Sequence, residues 1–112
     1  MEAKERKIKI YMQASGKKPF EEWLENLKDS ISRARIRARI DQVAIGNFGD
    51  SKTVGNGVSE LRFSFGPGFR IYYAIDGEAL VLLLAGGDKS SQEDDITRAK
   101  KYWNNYKERS DE

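Results

Sequence analysis

Residues 58–92 read VSELRFSFGPGFRIYYAIDGEALVLLLAGGDKSSQ, and this stretch decides the fold. Apolar and polar residues alternate in residues 58–65 and again in residues 69–75, which predicts two strands with one apolar face each. The cluster Gly66-Pro67-Gly68 predicts a tight turn between them, because glycine accepts a positive φ and proline removes a ladder donor. Asp76-Gly77 then predicts a two-residue hairpin turn. The stretch therefore predicts three antiparallel strands.

The lengths of the two predicted turns set a register for these strands. A three-residue first turn places Phe65 opposite Phe69 and Arg62 opposite Tyr72, and a two-residue second turn places Tyr73 opposite Leu80. One face of the sheet then carries the aromatic and aliphatic side chains. The other face carries a polar set, and its position on inner strands indicates a functional surface: Arg62, Ser64, Arg70 and Tyr72.

The third strand of this group has a different character. Residues 79–85 are apolar without alternation, which is typical of a strand covered on both faces. The segment GGDKSSQ that follows leads into a last helix, which Ser90 or Ser91 could cap, since each is followed three residues later by an acid. The buried strand therefore delivers a glycine-rich loop to a helix start.

The first half of the chain predicts a strand and two helices. Residues 7–12 alternate as a strand, and Pro19 suits the first turn of a helix with apolar residues at i, i+3, i+4 and i+7. Asp29 or Ser30 could cap a second helix that ends near Ile45. The alternation in SISRARIRARI also fits a strand, but the length of the segment favours a helix.

Residues 46–57 contain four glycines and predict a loop with Lys52 at its exposed middle. The predicted order is therefore β-α-α-β-β-β-α, an α+β fold with a mainly antiparallel sheet. We expect residues 1–112 to form one domain.

Composition excludes several classes of function. The net charge of +2 is too small to indicate a nucleic-acid binder by itself. The absence of cysteine excludes disulfides and a thiol nucleophile and suits the cytoplasm. The absence of histidine excludes an imidazole acid or base and an ordinary zinc site. We expect no metal or cofactor, and no membrane association, because the longest apolar run is too short to span a bilayer.

Four arginines without an acid between them mark residues 30–40. On a helix, Arg33 and Arg37 form one stripe, and Arg35 and Arg39 form another. These stripes are either a solvated helix surface or a basic ridge. A basic ridge would contact RNA phosphates, with Arg37 among the contacts, or an acidic protein partner.

Three cations could carry chemistry without histidine. Lys89 lies at a helix start, where backbone N–H groups and the helix dipole favour an anion, although the same residues also suit an ordinary helix start. Arg62 and Arg70 offer planar donor forks to phosphate. Together these groups suit RNA cleavage by attack of a 2′-hydroxyl on the adjacent phosphate. Alternatively, both arginines are strand residues paired with Glu60, Glu78 or helix acids.

The run ELRFSFGPGFRIYYAIDGEALVLLLAGGDKSSQEDDITRAKKYW resembles the RelE/ParE toxin superfamily of type II toxin–antitoxin modules. Within the superfamily it is most similar to the HigB-like addiction module killer proteins and the related phage-derived Gp49-like proteins. The resemblance begins at the FEEWLENL helix, and its most specific parts are ELR, GPGFRIYY and GGDKSSQ.

This resemblance implies a RelE-like fold and a ribosome-dependent mRNA endonuclease that inhibits translation. A cognate antitoxin, often of the helix-turn-helix type, would neutralise it in a hetero-oligomer. The catalytic positions of the family correspond to Arg62, Arg70 and Lys89. The substrate contacts that we expect lie on the sheet, beside the glycine-rich loop and on two basic segments: Tyr72, Ser91, Gln92, Lys52 and Arg37.

The chain departs from the superfamily at its C-terminal end. Other members often place a tyrosine or histidine there for catalysis or base stacking, whereas here Tyr102 and Tyr106 fall on the apolar stripe of a helix. Tyr72 or Lys89 is then left as a candidate general base. Two other functions stay open: a ParE-like poison of DNA gyrase, and a non-catalytic module that binds a helix-turn-helix antitoxin.

Overall fold

Five strands and three α-helices make up the computed structural model, which describes residues 5–110. The α+β class is confirmed, with the order β-α-α-β-β-β-β-α. The elements are β1 (Lys7–Ile10), α1 (Pro19–Glu25), α2 (Ser30–Ala44), β2 (Ser51–Gly55), β3 (Val58–Arg62), β4 (Arg70–Asp76), β5 (Leu80–Gly87), a 3-10 turn (Lys89–Ser91) and α3 (Gln92–Ser110).

The strands form one mixed sheet in the spatial order β1-β5-β4-β3-β2. β1 runs parallel to β5, and the other three pairings are antiparallel. β5 therefore lies between β1 and β4, inside the sheet. No helix within residues 5–110 is long and apolar enough to cross a membrane.

The structure corrects the prediction that residues 46–57 are a loop, because β2 occupies part of that segment. β2 pairs with β3 and places Lys52 opposite Glu60. Asn56 and Gly57 join the two strands, and both have positive φ, at 57° and 83°. Asn-Gly is the preferred dipeptide for a type I′ hairpin, so the sequence contained the signal for this strand.

Both predicted hairpins exist, but both predicted registers are wrong. Arg62 lies opposite Arg70 rather than Tyr72, because the first connection is longer than three residues. In this connection Gly66 and Gly68 both adopt positive φ. The hydrogen bond that closes the hairpin runs from the Phe63 N–H to the Phe69 carbonyl.

The second hairpin pairs Asp76 with Leu80 and Tyr73 with Leu83. The register then shifts, so that Tyr72 lies opposite Ala85. This bulge turns Leu84 and Ala85 toward the same core, and two consecutive apolar residues of β5 are thereby buried on one side.

Helices cover both faces of the sheet, which explains the uninterrupted apolar sequence of β5. On one face, α1 and α2 pack against a first core that contains Phe20, Leu24, Ile36, Val43, Leu61, Phe63, Phe69, Ile71, Tyr73, Val81 and Leu83. On the other face, α3 packs against a second core that contains Tyr11, Val58, Tyr72, Ala74, Leu82, Leu84, Ala85, Ala99 and Trp103.

The arginine-rich segment is a helix, as its length predicted. Asp29 is the N-cap of α2, and its side chain accepts a hydrogen bond of 3.0 Å from the Ile31 N–H. Ile36 is 0% exposed on the side that faces the sheet, whereas Ile31 is 66% exposed. The helical period therefore determines which isoleucines of this segment stabilise the fold.

We predict that Ile36→Ala lowers the free energy of unfolding by about 2–5 kcal/mol, because it removes buried methyl groups and leaves a cavity. Ile31→Ala is the matched control and should change stability by less than about 0.5 kcal/mol. Urea unfolding followed by circular dichroism measures both. Equal effects of the two substitutions would contradict the assignment of the buried face of α2.

Candidate functional site

The three predicted catalytic cations lie around one open cleft of about 420 Å³ at the ends of β3 and β4. Arg62 and Arg70 are directly opposite each other on these strands, and Lys89 comes from the 3-10 turn after β5. The cleft is lined by Asp50, Arg62, Phe63, Ser64, Gly66, Pro67, Gly68, Arg70 and Lys89. The structure therefore brings these three cations to one place.

Arg62 is held by the carboxylate of Asp50, which the sequence did not predict as part of the site. Its Nε and Nη2 donate to Asp50 Oδ1 at 3.1 and 2.9 Å. These hydrogen bonds, with the charge of Asp50, raise the pKa of Arg62, so the guanidinium stays cationic. Asp50 immediately precedes β2, and only recognition of that strand would have placed it beside Arg62.

Arg39 of α2 fixes the backbone beneath this ion pair. Its guanidinium donates to the carbonyls of Phe48, Asp50 and Arg62 at 2.8–3.0 Å. Burial lowers the pKa of Arg39, yet an arginine remains charged at any physiological pH. Arg39 therefore joins α2 to the start of β2 and the end of β3, and it sets the position of the Asp50–Arg62 pair.

Arg70 is buried at the edge of the cleft, with 7% of its surface exposed. Nη1 donates to the carbonyls of Gly68 and Phe69 at 3.0 Å, and Nε lies 4.0 Å from Glu60 Oε2. Glu60 is 2% exposed and also accepts a hydrogen bond of 3.1 Å from Gln92 Nε2. The alternative reading that pairs Arg70 with Glu60 is therefore confirmed, although Arg70 also lines the cleft.

Tyr72 lies beneath the first turns of α3 and is 0% exposed. Its hydroxyl has no hydrogen-bond partner within the described residues. Burial first, and then the charges of Glu60 and Asp95, raise the pKa of Tyr72 well above its usual value. The phenol is therefore neutral and shielded, which removes it as a general base; contact with RNA would require α3 to move.

The loop after β5 is organised by Asp88, and the predicted caps are corrected. Asp88 Oδ1 accepts from the Ser90 N–H at 2.8 Å and from the Ser90 hydroxyl, and the Ser91 N–H donates to the Asp88 carbonyl at 3.3 Å. A carboxylate of the protein thus occupies the position in which the sequence placed an external anion. Lys89, which is exposed, supplies the positive charge of this loop.

The stem of Lys89 rests against the turn that closes the β3–β4 connection. A Cβ atom added at Gly68 would lie 3.0 Å from Lys89 Cγ and 3.1 Å from Cδ, and Gly68 has a φ of +79°. Only glycine allows both the turn and the close approach of the lysine. The contact therefore places the Lys89 stem against a turn that lines the cleft.

The other predicted substrate contacts lie elsewhere. Gln92 binds Glu60, and the Ser91 hydroxyl donates to Asp95, so both belong to the polar layer between the sheet and α3. Lys52 is exposed on the edge strand β2. Arg37 lines a separate depression beside α1 and β1. Their roles in RNA binding stay predictions, and none of these residues lines the cleft.

The four arginines of α2 lie in different environments and make different contacts. Arg33 donates to the Leu27 carbonyl, and Arg39 binds the three carbonyls described above. Arg35 is exposed, with its guanidinium 5.0 Å from the centre of the Phe65 ring. The two predicted arginine stripes of α2 are therefore neither a uniformly solvated surface nor a uniform basic ridge.

The arrangement can bind an anion with two kinds of cation, guanidinium and ammonium. Arg62 and Arg70 present guanidinium groups from the sheet, and Lys89 presents an ammonium group from the loop. Within residues 5–110 no group of three or more acids could hold a metal ion. The side-chain cations of the cleft can stabilise charge that develops on a bound phosphate.

The fold and the cleft define a small α+β protein with a cationic site at one end of its sheet. Residues 22–104 match the family described as Phage derived protein Gp49-like (DUF891), so the chain belongs to this family of addiction module killer and toxin proteins. A relative in Haemophilus influenzae, named "Uncharacterized protein", is 48% identical over 81 residues, which are 72% of this chain and 82% of that protein. Membership of this family implies an antitoxin partner.

We predict that Asp88→Ala lowers the free energy of unfolding by about 0.5–2 kcal/mol, because it removes the cap of the turn that carries Lys89. Asp88→Asn should retain most of the stability, since asparagine also caps. Thermal unfolding of the two variants at neutral pH measures the difference.

The stability that the Asp88 cap contributes depends on pH. Hydrogen bonds from the Ser90 hydroxyl and backbone hold the pKa of Asp88 below its usual value, so its contribution is present at neutral pH and is lost as pH falls through the folded-state pKa. The stability gap between wild type and Asp88→Ala should therefore shrink in acid. A gap that widens in acid would contradict the assignment.

Proposed function

We propose that the protein is the toxin of a type II toxin–antitoxin module and an endoribonuclease that cuts mRNA on the ribosome. The observation that carries this proposal is the convergence of Arg62, Arg70 and Lys89 on one open cleft. Membership of a killer-protein family supports the toxin role. The chemistry follows from the residues of the cleft.

In the proposed reaction, the cleft binds the phosphate that links two nucleotides. The 2′-oxygen of the upstream ribose forms a bond to phosphorus, and the bond from phosphorus to the 5′-oxygen of the next nucleotide breaks. The products are a 2′,3′-cyclic phosphate and a free 5′-hydroxyl. The proton of the 2′-hydroxyl passes to solvent through the open cleft, and Lys89 donates a proton to the departing 5′-oxygen.

The two arginines have different parts in this reaction. Arg62 lies on the more open side, where its pair with Asp50 keeps it oriented. Arg70 is fixed by two carbonyls and Glu60, so its guanidinium is preorganised before substrate arrives. Preorganised donors aimed at developing charge account for a large part of catalysis in many enzymes.

We assign the partners from the family and from this chemistry. The antitoxin would be a helix-turn-helix protein that forms a hetero-oligomer with the toxin, and the substrate would be mRNA held in the ribosome, in the cytoplasm. A ParE-like action on gyrase and a purely non-catalytic role are the alternatives that the experiment below distinguishes.

The test changes Lys89 and Arg70 in ways that leave no buried charge unpaired. Lys89→Ala removes an exposed side chain, and Arg70→Lys keeps a charge near Glu60 but removes the planar fork. We expect each to lower the rate of mRNA cleavage about 10²- to 10³-fold and to relieve growth arrest. Induction in bacterial cells followed by mapping of mRNA 5′ ends provides the measurement.

The control is Lys101→Ala, which removes an exposed lysine of α3 outside the cleft and should leave cleavage unchanged. Arg70→Ala is a poor test, because it leaves the Glu60 carboxylate buried without its partner and should cost about 3–5 kcal/mol of stability. Growth arrest with intact transcripts and inhibited supercoiling would reject the nuclease in favour of a gyrase poison. Wild-type levels of cleavage in both variants would reject the assigned cations.

A further inference from the structure

A second depression of about 430 Å³ lies beside the cleft, along α2. The two depressions share Asp50, Arg62, Phe63 and Ser64. The second is completed by residues of α2 and of the β3–β4 connection: Arg35, Ala38, Arg39, Gln42 and Phe65. The two depressions are therefore neighbours, close enough for one nucleic acid strand to reach from the first to the second.

The second depression contains a stacked cation and ring. The guanidinium of Arg35 lies 5.0 Å from the centre of the Phe65 ring, and this ring meets Phe63 and Phe69 edge-on at 5.7 and 5.6 Å. These two edge contacts hold Phe65 in place. Arg35 is exposed, and within the described residues its guanidinium donates no hydrogen bond to the protein. The pair thus offers a flat surface at the wall of the groove.

The charge of the groove suits a nucleic acid strand. The residues that line the second depression include one acid, Asp50, and three arginines: Arg35, Arg39 and Arg62. Asp50 is already paired with Arg62 and therefore repels a phosphate only weakly. Arg39 is committed to backbone carbonyls, which leaves Arg35 as the exposed arginine that can meet a ligand.

We propose that Arg35 and Phe65 form a stacking site for the base of a nucleotide that flanks the cleaved phosphate in single-stranded RNA. This inference rests on the proposed function. Unstacked RNA bases bind to aromatic rings and to guanidinium planes, and both surfaces are present here. The cations of the first depression hold the scissile phosphate, and the Arg35–Phe65 site holds the neighbouring base. The site therefore contributes to the choice of cutting position.

The experiment compares Arg35→Ala with Lys101→Ala under the same induction. Both substitutions remove one exposed cation, but Lys101 lies on α3, outside both depressions. Mapping of mRNA 5′ ends gives the cleavage frequency at each site and the base composition on either side of the cut. We expect Arg35→Ala to lower cleavage about tenfold, the effect of losing one stacking contact, and to flatten the base preference next to the cut.

Phe65→Leu is the second variant, since it keeps an apolar side chain against Phe63 and Phe69 but removes the aromatic ring. It should reproduce the flattened preference, and thermal unfolding checks that it folds. Lys101→Ala should retain the wild-type pattern within about twofold.

The outcomes separate the two proposals. If wild-type protein cuts mRNA and Arg35→Ala cuts at the same sites with the same frequency, the stacking site is overturned while the nuclease stands. Equal losses in Arg35→Ala and Lys101→Ala would also overturn it, because they would reflect the net charge of the protein. If wild-type protein arrests growth without cutting any transcript, both proposals fail together.

Discussion

The buried pair of Glu60 and Arg70 is the interaction on which the geometry of the site depends. Both residues lie on inner strands, and α3 covers most of the face that carries them. Burying two charges costs several kcal/mol of desolvation for each ion, so the pair persists only with further hydrogen bonds. Gln92 supplies one of these to Glu60, and the carbonyls of Gly68 and Phe69 accept two from Arg70. The pair thereby joins the start of α3, through Glu60, to the β3–β4 connection, through Arg70.

On the open side of the cleft, hydrogen bonds from a second guanidinium, that of Arg39, also hold the backbone in place. Arg39 binds carbonyls on both sides of the Asp50–Arg62 pair, from a helix on the opposite face of the sheet. Such charge-assisted bonds to carbonyls are short and directional, so they fix irregular backbone that has no ladder of its own. The cleft consists of strand ends and loops, and it is rigid where arginine side chains bind that backbone.

Local features of the sequence predicted the elements well, and features that depend on distant contacts escaped prediction. The Asp29 cap and the unbroken apolar run of β5 are properties of short segments, and both were correctly interpreted. The register of β4 against β5 depends on a bulge near Tyr72, which no local pattern predicts. β2 was missed although Asn56-Gly57 is a strong turn signal, because the glycines of that segment outweighed it.

The same reasoning explains which site residues could be predicted. Alternation correctly placed Arg62, Arg70 and Tyr72 on one side of the sheet, but that face is not polar throughout, because Tyr72 belongs to the second apolar core. What alternation does not specify is how far α3 extends over that face. Its covering of Tyr72 and Glu60 depends on the Asp88 cap and on the length of β5, which together decide where the helix begins.

The start of α3 therefore divides one face of the sheet into a buried part and an open part. Tyr72 and Glu60 lie under the helix, Arg62 lies beyond it, and Arg70 lies at the boundary with its charge paired on the buried side. A guanidinium at such a boundary is held by the protein on one side and faces the cleft on the other. A shift of two residues in the β3–β4 register would have placed Tyr72 opposite Arg62 instead. The longer connection between these strands, with its two glycines at positive φ, thus sets an arginine at the edge of the cleft.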